Sequence, residues 1–222
     1  MNQKQFAWRS DLLHRKEEVL SRQGSGFERE MEGIILELET LVREVDAAGG
    51  APLERARNWR SLGEAYGELA SAKDPHQLDK ALAAYRQAEA LLSGIADRNE
   101  EMLVNYGIGR TLLNLSRCIN LPLAKEARRR YALALNTAHL AAPEFENPIQ
   151  EALMSLDRIV ALLEKRNDLC RQIECRKGSR KGAGSEEYDL DLQIPEDAAL
   201  FEQLLDIYHR MSQLGGLQRA SV

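Results

Sequence analysis

Cysteine is scarce in this sequence, with only three among 222 residues. Three cysteines cannot build the disulfide framework of a small secreted protein. Cys170 and Cys175 have no histidine or second cysteine pair nearby that would complete a metal site, so we interpret all three as reduced thiols. Reduced thiols are typical of the cytoplasm, which is the location we expect.

Long apolar runs are also missing. No stretch reaches the roughly 18 consecutive apolar residues that a membrane-spanning helix needs. The N-terminus carries charges throughout and lacks the apolar centre of a secretory signal. A helix over residues 3–22 is predicted to turn Arg9, Arg15 and Lys16 outward. Its interspersed acidic residues favour packing against the next helix over lying on a membrane surface.

Positive charge is not in excess, since the formal net charge is −5. Two local basic runs exist, one at Arg128-Arg129-Arg130 and one around residues 176–181. Neither run is interleaved with the aromatic residues that stack on single-stranded nucleic acid. We therefore expect no nucleic-acid partner.

Motifs that carry catalysis are missing as well. The Gly-Ser-Gly at residues 24–26 has no following lysine and no preceding strand, so it is not a phosphate-binding loop. The sequence contains neither a Gly-x-Ser-x-Gly elbow nor a His-Glu-x-x-His zinc motif, and its four histidines are scattered singly. The sequence predicts a protein that is not an enzyme and that has no cofactor and no metal.

Helix-forming residues with a 3.6-residue apolar period fill most of the chain, which predicts an all-α protein of about eight helices. A helical domain is expected over residues 1–176, followed by a Gly/Ser-rich flexible linker over 177–187. Residues 188–222 are expected to form a C-terminal unit. It begins with an extended stretch at 188–194 and continues as an apolar helix at 196–214.

One pair of motifs organises the central helices. Residues 59–66 read Trp59-x2-Leu62-Gly63-x2-Tyr66, and residues 81–88 read Ala81-x3-Tyr85-x2-Ala88. The first set lies on one helix face, and the lack of a side chain at Gly63 lets a second helix approach closely. This stretch resembles a tetratricopeptide repeat, a helical hairpin that recurs along a chain.

A second copy follows. Ala127-x3-Tyr131-x2-Ala134 repeats the second motif 46 residues further on, and we align Tyr106-Gly107 with Leu62-Gly63. The aromatic residues of these motifs, Trp59, Tyr66, Tyr85 and Tyr131, are expected to be core residues. The resemblance implies antiparallel hairpins stacked as a short right-handed TPR-like solenoid. An irregular bundle of helices is the competing architecture.

The resemblance also implies a function, because the first helix of each hairpin lines a concave groove in that family. A non-enzymatic adaptor or scaffold that binds a peptide or helix of a partner protein is therefore expected. The groove residues carried over to this chain are Arg57, Arg60, Glu64, Glu68, Glu101, Val104, Ile108, Thr111 and Leu112.

Two other functions stay open. The apolar stripe of residues 196–214 has to be buried, so the chain is alternatively a structural or oligomerisation subunit that associates with itself through this helix. The same stripe could instead dock onto the chain's own helices. An unrecognised small-molecule enzyme would require a deep pocket with convergent polar groups.

Overall fold

The computed structural model describes residues 3–22, 24, 26–72, 76–116, 120–180, 198–200, 202–207 and 209–210. Over these residues the chain is helical and has no strand, which confirms the all-α class. The elements are α1 (Gln3–Arg22), α2 (Phe27–Ala47), α3 (Pro52–Ala72), α4 (His76–Leu92), α5 (Arg98–Ser116), α6 (Leu121–Ala141), a 3₁₀ turn (Pro143–Phe145) and α7 (Glu146–Arg180). Each helix packs against the next one along the chain, and α3 also contacts α1 and α5.

The connections between helices follow from local residue choices. Gly49 and Gly94 have φ values of 63° and 87°, a left-handed conformation that glycine adopts without steric cost. The side chain of Asn120 accepts a hydrogen bond from the backbone N–H of Leu123 and so caps α6. Pro122 follows in the first turn, where the missing N–H costs little. These turns keep consecutive helices close together.

The core runs through all the helices as one cluster. The apolar stripe of α2 supplies much of it, with Met31, Ile34 and Leu38 each at most 1% exposed. Tyr85 and Tyr131, predicted as core residues, are 2% and 3% exposed. Leu200 and Ile207, in the C-terminal helical stretch, are 7% and 0% exposed and belong to the same cluster. This part of the C-terminal apolar stripe is therefore covered by the chain's own residues.

The contact between α3 and α4 recurs between α5 and α6. A Cβ on Gly63 would lie 3.1 Å from the ring of Tyr85, and a Cβ on Gly109 would lie 3.0 Å from the ring of Tyr131. Both members of the second contact lie 46 residues after those of the first (63 to 109, 85 to 131). Residues 56–68 and 102–114 also show the same order of buried and partly exposed positions. The repeat of 46 residues therefore covers both helices of each pair.

This spacing corrects the sequence alignment in α5. Tyr106-Gly107 was aligned with Leu62-Gly63, whereas the structural counterpart of Gly63 is Gly109. Gly107 meets Tyr85 of the preceding helix pair instead. The alignment was two residues out of register, because either glycine permits a close approach and only the tertiary structure shows which helix approaches.

The boundary after α7 also differs from the prediction. The expected linker began at residue 177, but α7 continues through Arg180. The rest of that linker, at 181–187, and the predicted extended stretch at 188–194 lie outside the described residues.

Candidate functional site: a charged face across α1, α3 and α5

Four charged residues of α3 that were predicted to line a groove lie on one side of that helix. Arg57 donates through Nε to Glu100 Oε1 at 3.0 Å and through Nη2 to Asp97 Oδ2 at 3.2 Å. Arg60 donates through Nε to the other oxygen of Glu100 at 2.8 Å. Asp97 also caps α5, since its Oδ1 accepts from the backbone N–H of Glu100 at 3.0 Å. These contacts attach α3 to the start of α5.

The other two charged residues of α3, Glu64 and Glu68, connect this helix to α1 and to α5. Arg60 pairs with Glu64, which accepts a hydrogen bond from Lys16 Nζ of α1 at 2.9 Å. Arg110 Nη2 of α5 donates to Glu68 Oε1 at 2.6 Å. We call this group the charged face. It comprises Arg9, Lys16, Arg57, Arg60, Glu64, Glu68, Asp97, Glu100 and Arg110.

Several side chains of the charged face are buried, unlike those of ordinary surface ion pairs. The side chains of Glu100, Lys16 and Arg60 are only 5%, 7% and 13% exposed. Burial by itself would raise the pKa of Glu64, but the charges of Arg60 and Lys16 outweigh it and lower that pKa. The sequence had placed Lys16 on the outward side of α1, and the structure corrects this because its ammonium group reaches Glu64.

Among the residues that the structure describes, no carboxylate is in hydrogen-bond contact with Arg9, unlike the other cations of the charged face. Its Nε is buried and has no hydrogen-bond partner among the described residues. Burial lowers the pKa of Arg9 most, and the nearby positive charges of Arg60 and Arg57 lower it further. The carboxylates of Glu100 and Glu64 are close enough to raise it, but both are already bound to other cations. Arg9 is therefore a partly buried cation of the charged face that no described carboxylate contacts directly.

The predicted groove residues of α5 are not on this face. Val104, Thr111 and Leu112 are each 2% exposed and Ile108 is 1% exposed, so all four are core residues. They lie 46 residues after Asn58, Ala65, Tyr66 and Leu62, which are also buried. Glu101 is exposed on α5. The groove residues of α5 are wrong because they were carried over with Gly107 in place of Gly109 as the counterpart of Gly63.

The positions equivalent to Arg57, Arg60 and Glu64 are Leu103, Tyr106 and Arg110, which are all partly exposed. Of these, Arg110 belongs to the charged face. Sequence reasoning missed it together with Arg9, Lys16, Asp97 and Glu100. The one available signal was the 46-residue offset of the alanine and tyrosine motifs. Applied to α5, that offset leads directly from Glu64 to Arg110.

The basic run in α6 is already paired with carboxylates. Arg128 pairs with Asp157 of α7, and Arg129 pairs with Glu126 at 2.6 Å. Arg130 pairs with Glu126 at 3.0 Å and also with Glu89 of α4. The side chains of this run are therefore engaged within the chain.

In the described part of the chain, no cluster of three histidine, cysteine or carboxylate side chains is arranged to hold a metal ion. None of the described helices is both long enough and apolar enough to cross a membrane. No protein-family model, curated protein or solved structure matches this chain. The interpretation of the charged face therefore depends on its own geometry.

Acid should weaken the charged face through Glu64. Because the pKa of Glu64 is lowered from 4.5 in the folded state, its ionised form stabilises the fold above that pH. This stabilisation is lost as the pH falls through the lowered value. We expect Glu64→Gln to cost stability at neutral pH, and the difference from the parent protein to shrink below about pH 4.5. Urea unfolding at several pH values measures this.

The matched control is Glu151→Gln, at an exposed position of α7. Its effect should stay within about 0.5 kcal/mol at every pH. A Glu64→Gln variant with the parent's stability at neutral pH would show that the network does not stabilise the fold.

Proposed function

We propose that this chain is a non-enzymatic protein-interaction scaffold that binds an acidic segment of a partner protein on its charged face. In this proposal α3–α4 and α5–α6 are antiparallel hairpins of a short right-handed TPR-like solenoid, as the resemblance at residues 59–88 implies. The repeated Gly63–Tyr85 and Gly109–Tyr131 contacts support that arrangement. In such a solenoid the first helix of each hairpin contributes to one continuous surface.

Arg9 carries the choice of an acidic partner. Arg9 is only partly buried, and among the described residues no carboxylate is in hydrogen-bond contact with its guanidinium group. Burial next to Arg57 and Arg60 makes a carboxylate the group that stabilises it best. The charged face has five cations and four carboxylates, so one incoming carboxylate would balance it.

The subunit alternative depended on an apolar C-terminal stripe that needed a second copy to cover it. Leu200 and Ile207 of that stripe are buried in the chain's own core. Leu204 packs partly against that core, whereas Leu205 is 52% exposed. Most of the described part of the stripe is therefore covered within the chain, and the scaffold is the function we put forward.

Affinity capture from cells that express the protein tests the proposal. Arg9→Glu places a negative charge beside Glu64 and Glu100, and it should remove the partners that the parent protein retains. Arg128→Glu is the matched control, because Arg128 is a 55% exposed arginine that also lies near a carboxylate. It should keep those partners. Equal partner sets for both variants would contradict the charged face as the binding surface.

A further inference from the structure

A cavity of about 580 Å³ opens between α2, α3 and α4, a size typical of small-molecule sites. Its apolar lining consists of Val42, Trp59, Leu62, Tyr66, Ala83 and Ala84. The sequence predicted Trp59 as a core residue, but the structure leaves it only partly buried because the ring lines this cavity. The indole N–H of Trp59 donates to Asp46 Oδ2 at 3.1 Å, which holds the ring in place.

The 46-residue repeat shows why the cavity is open. The equivalents of Trp59 and Ala84 are Asn105 and Arg130 in the second helix pair. There the Arg130 side chain bonds to Asn105 Oδ1 at 3.0 Å and pairs with Glu89. At the first pair Ala84 is too short to make such a contact. The cavity therefore lies beside the short side chain of Ala84, at the position where the second pair has a long arginine.

The charge at the rim of the cavity is also opposite to the charge at the equivalent place in the second helix pair. Glu89, the partner of Arg130, is replaced 46 residues earlier by Arg43, which also lines the cavity. Arg43 bonds to Thr40 Oγ1 and to the backbone carbonyl of Glu39 and, among the described residues, to no carboxylate. Lys80, on the opposite helix, lies with Nζ 5.4 Å from the centre of the Tyr66 ring.

The carboxylate of Glu39 also lines the cavity and accepts the hydroxyl hydrogen bond of Tyr66, so its negative charge offsets one of the two positive charges at the rim. Burial, together with that hydrogen bond, raises the pKa of Tyr66, which keeps its hydroxyl a donor. The lining therefore has an apolar floor and one net positive charge from Glu39, Arg43 and Lys80. Such a site is complementary to an apolar group that ends in a carboxylate.

We propose that this cavity binds a small apolar carboxylic acid. The apolar body lies against Trp59 and fills the space left by Ala84, and the carboxylate lies at the rim with Arg43 and Lys80. This site is separate from the charged face and does not depend on the scaffold function.

Decanoate, kept below its micellar concentration, is a suitable probe, and Trp59 is a suitable reporter. Trp8→Phe leaves Trp59 as the single tryptophan, since the chain has two. We expect decanoate to change Trp59 fluorescence saturably and to bind more tightly than 1-decanol or decylamine. The absence of a saturable change, or equal binding of the three probes, would overturn the proposal.

Two substitutions, each with its own control, locate the binding site in the Trp8→Phe protein. Arg43→Glu should weaken decanoate binding at least about tenfold, because a charge-assisted contact is lost. Arg29→Glu, on the same helix but away from the cavity, should not. Ala83→Leu should fill the cavity and abolish binding, whereas Ala90→Leu, at another exposed position of α4, should preserve it. Unchanged affinity in Arg43→Glu or Ala83→Leu would contradict the site.

Discussion

Gly107→Ala should destabilise the protein by about 3 kcal/mol, the upper part of the range for overpacking a core. A Cβ at this position would overlap the outer ring atoms of Tyr85. The ring cannot move aside, because it is 2% exposed and Gly63 lies against it on α3. The alanine must therefore push α4 and α5 apart, which costs more than the roughly 1 kcal/mol that alanine gains over glycine in a helix.

Gly33→Ala in α2 is the matched control. A Cβ there meets nothing within 4 Å, so this variant should gain roughly 0.5–1 kcal/mol in urea unfolding. The double variant Gly107→Ala/Tyr85→Ala provides a second check. It should be no less stable than Tyr85→Ala alone, because removing the ring removes the clash. If Gly107→Ala is as stable as Gly33→Ala, the close approach of α4 and α5 is wrong.

Glu100→Ala should cost about 3 kcal/mol, the low end for breaking a buried ion pair. Glu100 accepts from both Arg57 and Arg60, and its side chain is 5% exposed. Removing it leaves Arg60, which is 13% exposed, with Glu64 as its remaining carboxylate partner. Arg60 and the buried Lys16 would then share the single carboxylate of Glu64, which leaves one positive charge uncompensated. Such a charge is more costly than the lost hydrogen bonds alone.

Asp157→Ala is the control for Glu100→Ala. It also removes the carboxylate partner of an arginine, but Asp157 and Arg128 are both 55% exposed. Solvent screens such a pair, so the change in unfolding free energy should be under about 1 kcal/mol. Equal effects of the two substitutions would mean that solvent screens the charged face as well.

Much of the helical architecture could be predicted from the sequence because the apolar period of 3.6 residues acts locally. The sequence also predicts which faces of α4 and α6 are buried. Ala81 and Ala127 are small residues one helical turn before Tyr85 and Tyr131, and all four are buried. A glycine is less informative, since it permits a close approach without specifying the partner. The motif alone therefore pairs Gly107 with Gly63, although the structural counterpart is Gly109.

The charged face could be predicted only in part, because its pairs join residues far apart in the chain. The helical period placed Arg57, Arg60 and Glu64 on one side of α3. It could not show that Lys16 lies beside Glu64, 48 positions away, or that Glu100 lies beside Arg57, 43 positions away. Such pairs are determined by how helices approach one another, which the residue pattern of a single helix does not contain.

Hydrogen–deuterium exchange of the full chain, with and without a captured partner, tests the scaffold proposal most directly. The account predicts that the partner slows exchange in α1, α3 and α5, the helices that carry the charged face. Exchange should stay unchanged in α2, α4 and α6. Protection confined to α2, α4 or α6 would contradict the proposal, since the partner would then bind another face of the molecule.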